Sequence, residues 1–541
     1  MYIKKSICYN AKKAIGRRVT TMSNKYLFPI IPMMEGENMT ITGPEDCGDG
    51  NYVTIFSNTT KAEYEAYLAS LEEAGYEKFA DNGEGLANAV FTATYTKDKW
   101  TVTVIHVLKP QKTYVSVSFD KPLSERLIYK DEYAAGNIPG AKTKLHMVEL
   151  WWFGNSFIIQ LKNGHFIISD GGQYPDAPYL LDYLEELAPK GEKPVIEAWF
   201  ISHAHGDHCG VFRELRGENA QRIYVEGIYY NVVGDALYVK DQSTRVDTAF
   251  MKWACTGLKN VDGEPTKFYR PHTGQKLYFS DIVIDVVHTH EQLLRDVATG
   301  DINDTSTWIM INAEGQKCLI TGDGERGCMK TTMATYDREY FDMDMMTLMH
   351  HGFNTRDEFT DFCKVKTLII PMRDRTPARQ ANENDYVKAN VEEYFYWGDG
   401  TKVLTFPYTV GSYESLPVKE WIYNNPAERR EQINIYRYWR GHNKKEIRTL
   451  RINDNGMVKA GAFLYDKIHE HLPLPITQDG MMIELRIDKT IDEEQKYRMI
   501  IEDPTGWVIS AVNEEALYEA IDRFVNDAQW SEKGFTAKLV E

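Results

Sequence analysis

The chain has 541 residues, and 62 lysines and arginines against 79 aspartates and glutamates give it a formal net charge of −17 with histidine neutral. So acidic a surface repels nucleic acid and anionic membranes at long range, and no apolar run reaches the about 18 residues a membrane-spanning helix needs. Apolar residues at 43% allow a sizeable core, and the length corresponds to about three to four domains.

The first 24 residues are basic but lack the apolar stretch of a secretory signal. They read as a disordered tail, with Met22 an alternative start, and the chain reads as cytoplasmic. The seven cysteines are scattered without a CxxC pair, as expected of buried or free thiols in a reducing compartment.

Three blocks follow. Residues 25–135 read as an α+β module. "TTKAEYEAYLASLEEAGYEKF" predicts a helix with a Thr60–Glu63 capping box, Tyr64, Leu68 and Leu71 on one face, and Gly75 at its end. "VFTATY", "WTVTVIHV" and "TYVSVSF" alternate as antiparallel strands do.

Residues 140–425 open with paired strands in "HMVELWWFG", "SFIIQL" and "HFIISDGG". A helix follows in "APYLLDYLEELAPKG", then a strand in "PVIEAWFI". "RIYVEGIYY", "KLYFSDIVIDVVHTH", "STWIMINAEGQKCLITGD" and "MDMMTLMHH" supply further strands. Paired strands, then strands alternating with helices, argue for a layered α/β domain.

Residues 430–541 give strands at "IRTLRIN" and "MMIELRI" around a helix in "MVKAGAFLYDKIHEHL". A hairpin and a last helix capped by Asn513 come after them.

Chemistry concentrates in "SHAHGDHCG", where His203, His205, Asp207 and His208 crowd a strand end. Two positions apart on extended chain, His203 and His205 point the same way. Asp207 and His208 fall where the chain turns and can face a second point nearby. Imidazole and carboxylate together suit zinc or another divalent transition ion, and such a set can serve two metals.

"HAHGDH" resembles the HxHxDH signature of the metallo-β-lactamase superfamily, which implies an αββα sandwich. "FIISDGG" resembles its strand-end aspartate motif and places Asp170 beside the site, orienting a ligand histidine. "LITGDGE" resembles the motif of the bridging carboxylate, here Asp323, and "LMHHGFN" the last histidine motif. His288 or His290 in "VVHTHEQ", and His350 or His351 in "HHG", fill the two remaining imidazole positions; His290 and His351 are favoured.

The implied centre then holds one ion by His203, His205 and His290 and a second by Asp207, His208 and His351, with Asp323 between them. Zinc is the first expectation for both ions, manganese or iron the alternatives. Asp207 and Asp170 are the carboxylates assigned to catalysis, and a metal-bridging hydroxide is the implied nucleophile.

"NDTSTWIMINAEGQKCLITGDGE" resembles the branch with the lactamase-like domains of competence proteins and phosphorylcholine esterase. That implies a small phosphoester or phosphodiester substrate. A lactone, amide or ester hydrolase with the same site is the first alternative, a noncatalytic metal-bearing binding or assembly protein the second; a nuclease fits the acidic balance poorly. The C-terminal block faintly resembles the noncatalytic domain of β-hexosaminidases, which implies a packing, sugar-positioning or homodimerisation role. Arg356, Arg373 and Arg375 are candidate anchors for an anionic substrate. Asn303, Asp304 and Thr305 read as fixing the loop beside the site.

Overall fold

A computed structural model describes residues 26–28, 31–47, 50–119, 136–150, 154–173, 176–231, 254–294, 302–352, 357–371, 390–396, 400–417, 447, 450–472, 474, 481–492, 494–502, 506–530 and 535–537. The N-terminal tail, the polar stretch 418–446, Trp151, Trp152, Arg356, Arg373 and Arg375 lie outside them.

The central part is a mixed α/β sandwich of two sheets. The first runs in the order Lys267–Tyr269, Gly227–Tyr230, Val195–Ile201, Phe166–Asp170, Ser156–Gln160, Lys144–Met147, Lys402–Thr405, Glu414–Ser415. The second runs Lys276–Phe279, Ile282–His288, Trp308–Ala313, Gln316–Ile320, Asp342–Thr347, Lys364–Ile370, Glu393–Tyr396. Each sheet begins with antiparallel hairpins and continues with parallel pairs. Parallel neighbours need a crossover, and the helices Ala177–Leu187, Arg326–Thr335 and Asp357–Phe362 serve as these. In open parallel sheets, ligands sit beyond the carboxyl ends of the strands. Asp170, His203, Asp323 and His351 all fall at or just past such ends.

Period-2 alternation divides the second sheet between two cores. Ile309, Ile311, Cys318, Ile320 and Met345 face the first sheet. Trp308, Met310, Leu319 and Met346 face the other way, into a core shared with the helices Arg326–Thr335 and Asp357–Phe362 and with the N-terminal module.

That module is a six-stranded antiparallel sheet, ordered Thr40–Asp46, Asn51–Ser57, Lys112–Phe119, Trp100–Val107, Val90–Lys97, Glu77–Asp81. One face, with Phe56, Val102, Val104, Val115 and Val117, packs on the helix Lys61–Glu73. The other, with Val53, Ile55, Val90, Ile105, Val107 and Tyr114, joins the core of the second sheet. Thr92 Oγ1 donates to the Thr273 carbonyl at 2.7 Å, and Asn82 Nδ2 to that of Gly274 at 2.7 Å. The module is thus built onto the sandwich.

The helix Lys61–Glu73 carries the expected capping box, with Thr60 Oγ1 accepting from Glu63 N–H and the Glu63 carboxylate accepting from Thr60 N–H. It ends at the glycine the sequence marks. Gly75 takes φ +82°, a left-handed turn that suits glycine, and Glu77–Asp81 follows as an edge strand.

The C-terminal block is a four-stranded sheet ordered Leu450–Asn453, Met481–Ile487, Gly506–Ala511, Tyr497–Glu502, with the helices Val458–His471 and Glu514–Asn526. Leu464, Ile468, Ile483, Ile509, Leu517, Ile521 and Phe524 form its own core. Asn513 caps the last helix, accepting from Ala516 N–H at 2.9 Å.

Two buried histidines set an acid limit. Burial pushes His106 down to about 4 and His146 down to about 3, the latter with help from the Lys144 charge. An imidazole with a depressed folded-state pKa contributes stability that is whole above its unfolded value near 6.5 and is lost as pH falls toward the folded value. The thermal midpoint is therefore expected to fall as pH goes from about 6.5 to 4. His106→Gln with His146→Gln is expected to flatten that dependence in a calorimetric pH series; an unchanged slope would contradict it.

Candidate metal centre

The strand Val195–Ile201 delivers Ser202 and His203 to the edge of the sandwich. His205, in extended conformation, opens a single helical turn, Gly206–Cys209, that holds Asp207 and His208. The strand Gln316–Ile320 ends in Thr321-Gly322-Asp323. Gly322 has φ +54°, and a Cβ there would stand 2.6 Å from Ser202 Cβ, so only glycine lets the Asp323 loop close on the histidine loop. The strand Asp342–Thr347 ends in a tight turn, Met349–Gly352, in which both histidines are left-handed, His350 at φ 48° and His351 at φ 52°. Neighbours on a regular strand face opposite ways, but this pair lies past the strand, in the turn. The turn separates them, sending His351 inward and His350 to the rim.

Two groups of ligand atoms result, each with its members within 4.8 Å of one another: His203, His205 and Asp323; and Asp207, His208, Asp323 and His351. Asp323 is common to both. Its Oδ1 is 3.0 Å from His208 Nε2, and its Oδ2 is 3.4 Å from His351 Nε2 and 3.8 Å from His203 Nε2. His203 Nε2 is 2.9 Å from His205 Nδ1, and His351 Nε2 is 3.1 Å from Asp207 Oδ2.

Around these stand residues that fix them. Asp170, itself left-handed at φ 57°, accepts from His208 Nδ1 at 2.7 Å and from Ser202 N–H at 2.8 Å. His351 Nδ1 faces the Pro371 carbonyl at 3.1 Å. His350 Nδ1 pairs with Glu325 at 2.6 Å. Asp304 accepts from the backbone N–H groups of Glu325, Gly327 and Cys328, tying down the start of the helix Arg326–Thr335 behind Asp323. Cys209 is buried, its thiol 3.0 Å from the His205 carbonyl, and burial pushes its pKa up.

The two groups differ electrostatically. Burial, together with the neighbouring imidazoles, pushes His203 down, and burial also lowers His205. In the other group the carboxylates win against burial. Asp323, Asp170 and Asp207 raise His208 well above its ordinary value, and Asp323 and Asp207 raise His351 to about 9. Burial works against ionised Asp323, but His208 and His351 hold its carboxyl well below the usual range. One group therefore offers bare lone pairs, while the other carries protons that a cation would displace.

The donor set fits a divalent transition ion. His205 Nε2, His208 Nε2 and Asp323 Oδ1 are buried without a hydrogen-bond partner. Each such orphan costs about 1–3 kcal/mol. His208 Nε2 and Asp323 Oδ1 come to 3.0 Å yet lack hydrogen-bond alignment, as atoms aimed at a shared point do. Imidazole nitrogen with carboxylate oxygen is the donor chemistry of zinc, manganese and iron sites.

Among the described residues, neither His288 nor His290 joins these groups. His288 Nδ1 is 3.1 Å from Gln292 Oε1, and His290 Nδ1 is 3.2 Å from the Asn231 carbonyl, beside the buried His272–Glu291 pair at 2.8 Å. The imidazole expected from "VVHTHEQ" is thus not brought into either group, and the Nε2 atoms of both histidines are buried without a hydrogen-bond partner. His288→Gln and His290→Gln are each expected to leave the bound-metal count of the purified protein unchanged. Loss of an ion from either would restore that residue as a ligand.

Sequence reasoning passed over Ser202, Ser306 and Glu325. Single hydroxyls and one glutamate beside a motif carry no spacing signal, although Ser202 directly precedes His203.

Fold and site together define a two-sheet α/β sandwich with a histidine–aspartate cluster at its strand ends. Residues 150–354 match the family model described as the metallo-beta-lactamase superfamily. No curated protein matches the chain.

Similar solved structures include a metallo-beta-lactamase with a HARLDQ motif from Cronobacter sakazakii, at 16% identity and TM-score 0.22, covering 33% of this chain and 61% of that one. The chain thus spans less than two thirds of that protein. Zn(2+)-bound PqqB from Methylobacterium extorquens is similar at 11% identity and TM-score 0.31, over 46% of this chain and 86% of that one. Tm1679, a metal-dependent hydrolase of the beta-lactamase superfamily, is similar at 14% identity and TM-score 0.29, over 47% and 95%.

Proposed function

We propose that the protein is a dinuclear metal-dependent hydrolase, with zinc the expected ion, acting on a small phosphoester or phosphodiester. The observation that carries the dinuclear reading is the sharing of Asp323 by two ligand groups. His203, His205 and Asp323 would hold one ion, and Asp207, His208, His351 and Asp323 the other. When bound, such a pair supplies an acidified water as nucleophile and positive charge facing the electrophile.

The chain's own residues do the rest. Asp170 fixes the His208 ring, and the Pro371 carbonyl fixes that of His351. Asp304 anchors the helix behind Asp323. His205, Gly206 and Asp207 are the less buried stretch of the motif, and substrate approaches over them. His350, on its Glu325 partner, stands at the rim. The phosphoester class rests on the resemblance of residues 303–325.

The test is a panel of chromogenic phosphomonoesters, phosphodiesters, carboxylic esters and lactones assayed on metal-reconstituted protein. Phosphoester turnover is expected. Activity on lactones alone would overturn the substrate class. Full metal loading without turnover of any class would favour a binding protein.

A further inference from the structure

Ser202 belongs to no ligand pattern, yet its hydroxyl lies where the two ligand groups meet. Ser202 Oγ is 2.8 Å from Asp170 Oδ2, 3.0 Å from His203 Nδ1 and 3.2 Å from His208 Nδ1. All four side chains are buried.

Counting protons leaves one self-consistent arrangement. As a carboxylate, Asp170 only accepts, while the hydroxyl has one proton to give and lone pairs to receive. His208 Nδ1 makes its shortest contact, 2.7 Å, with Asp170 Oδ2, so its proton points there. Ser202 gives its proton to the same carboxylate oxygen, and its lone pairs then receive N–H from His203 Nδ1. Ser306 Oγ stands further off at 3.4 Å and accepts Asp323 N–H at 3.1 Å. With Nδ1 of both rings committed to these partners, it is Nε2 that each ring turns toward Asp323 and leaves for a cation.

We propose that Ser202 is a positioning residue that extends the hold of Asp170 from His208, in one ligand group, to His203, in the other. A single buried carboxylate then sets the ring orientation at both metal positions, directly at one and through the serine hydroxyl at the other. The proposal rests on the dinuclear reading above and adds a coupling between its two halves. Partners of this kind, when removed, cost about 10–100-fold in metal affinity. Ser202 loss falls on the His203 side only, because Asp170 still reaches His208 unaided.

The experiment is chelator competition with Co²⁺, read both as affinity and as the visible absorption of each bound ion, on the full chain and on Ser202→Ala, Ser202→Cys and Asp170→Asn. The cysteine variant keeps the volume but replaces the hydroxyl with a weak hydrogen-bonding group, which guards against a cavity effect. Both serine variants are expected to bind one ion about 10–100-fold more weakly with altered absorption, and the other within about twofold. Asp170→Asn is expected to weaken both. Two ions held as in the unaltered chain, or weakened alike, by either serine variant would overturn the role of Ser202 alone. No Co²⁺ bound by the unaltered chain would overturn the centre itself.

Discussion

Asp323→Ala is expected to remove both metal ions and to lower hydrolysis about a thousandfold or more. Asp323 is the one side chain common to the two ligand groups, and it lies within 3.0–3.8 Å of imidazole nitrogens from His203, His208 and His351. Without it each group loses a charged donor, and the raised His208 and His351 lose the carboxylate that does most to sustain them. Metal analysis by plasma mass spectrometry and turnover of the best substrate in the panel check the prediction. Asp342→Ala, an exposed carboxylate at the start of a strand, is the control expected to change neither. An Asp323→Ala protein that keeps two ions would contradict the assignment.

The second large effect concerns the N-terminal module. A chain shortened to begin at residue 140 is expected to be insoluble or loosely packed, binding hydrophobic dyes and little metal. Val53, Ile55, Val90, Ile105, Val107 and Tyr114 share one buried cluster with Val287, Met310, Leu319 and Met346 of the second sheet and with Cys328, Met329 and Phe359 of its helices. Removing the module returns apolar surface of that shared cluster to water, at about 25 cal/mol for each Å² exposed. Net domain stability is only about 5–15 kcal/mol. In the full chain, Ile105→Asp places an unpaired charge in the same layer and is expected to produce the same exposure to a lesser degree. A soluble, cooperatively unfolding fragment from 140 onward would show the module to be dispensable.

The sandwich strands and the histidine motif were legible because both have short-range causes. Apolar runs bounded by turns mark the strands. The crowding of His203, His205, Asp207 and His208 at one strand end marks a ligand site whatever lies around it. The double cover of the N-terminal sheet left a trace too. Val90–Tyr95 and Val102–Val107 are buried on consecutive residues, as in strands covered on both faces, but the polar threonines among them read as solvent-facing alternation.

What the sequence hid depends on longer-range geometry. The left-handed turn at His350 and His351 cancels the strand rule that would otherwise sort them. Where His288 and His290 point depends on how the strand Ile282–His288 ends against Asn231 and Gln292. Ser202 matters only because the fold brings Asp170, from 32 positions earlier in the chain, beneath it.

The most direct test of the account is the metal content of protein purified without chelators, measured together with anomalous scattering from crystals. The account predicts two transition ions per chain, both within bonding distance of Asp323, one beside His203 and His205 and the other beside His208 and His351. Protein that binds no transition ion when offered zinc, manganese or iron, or ions located away from Asp323, would contradict it.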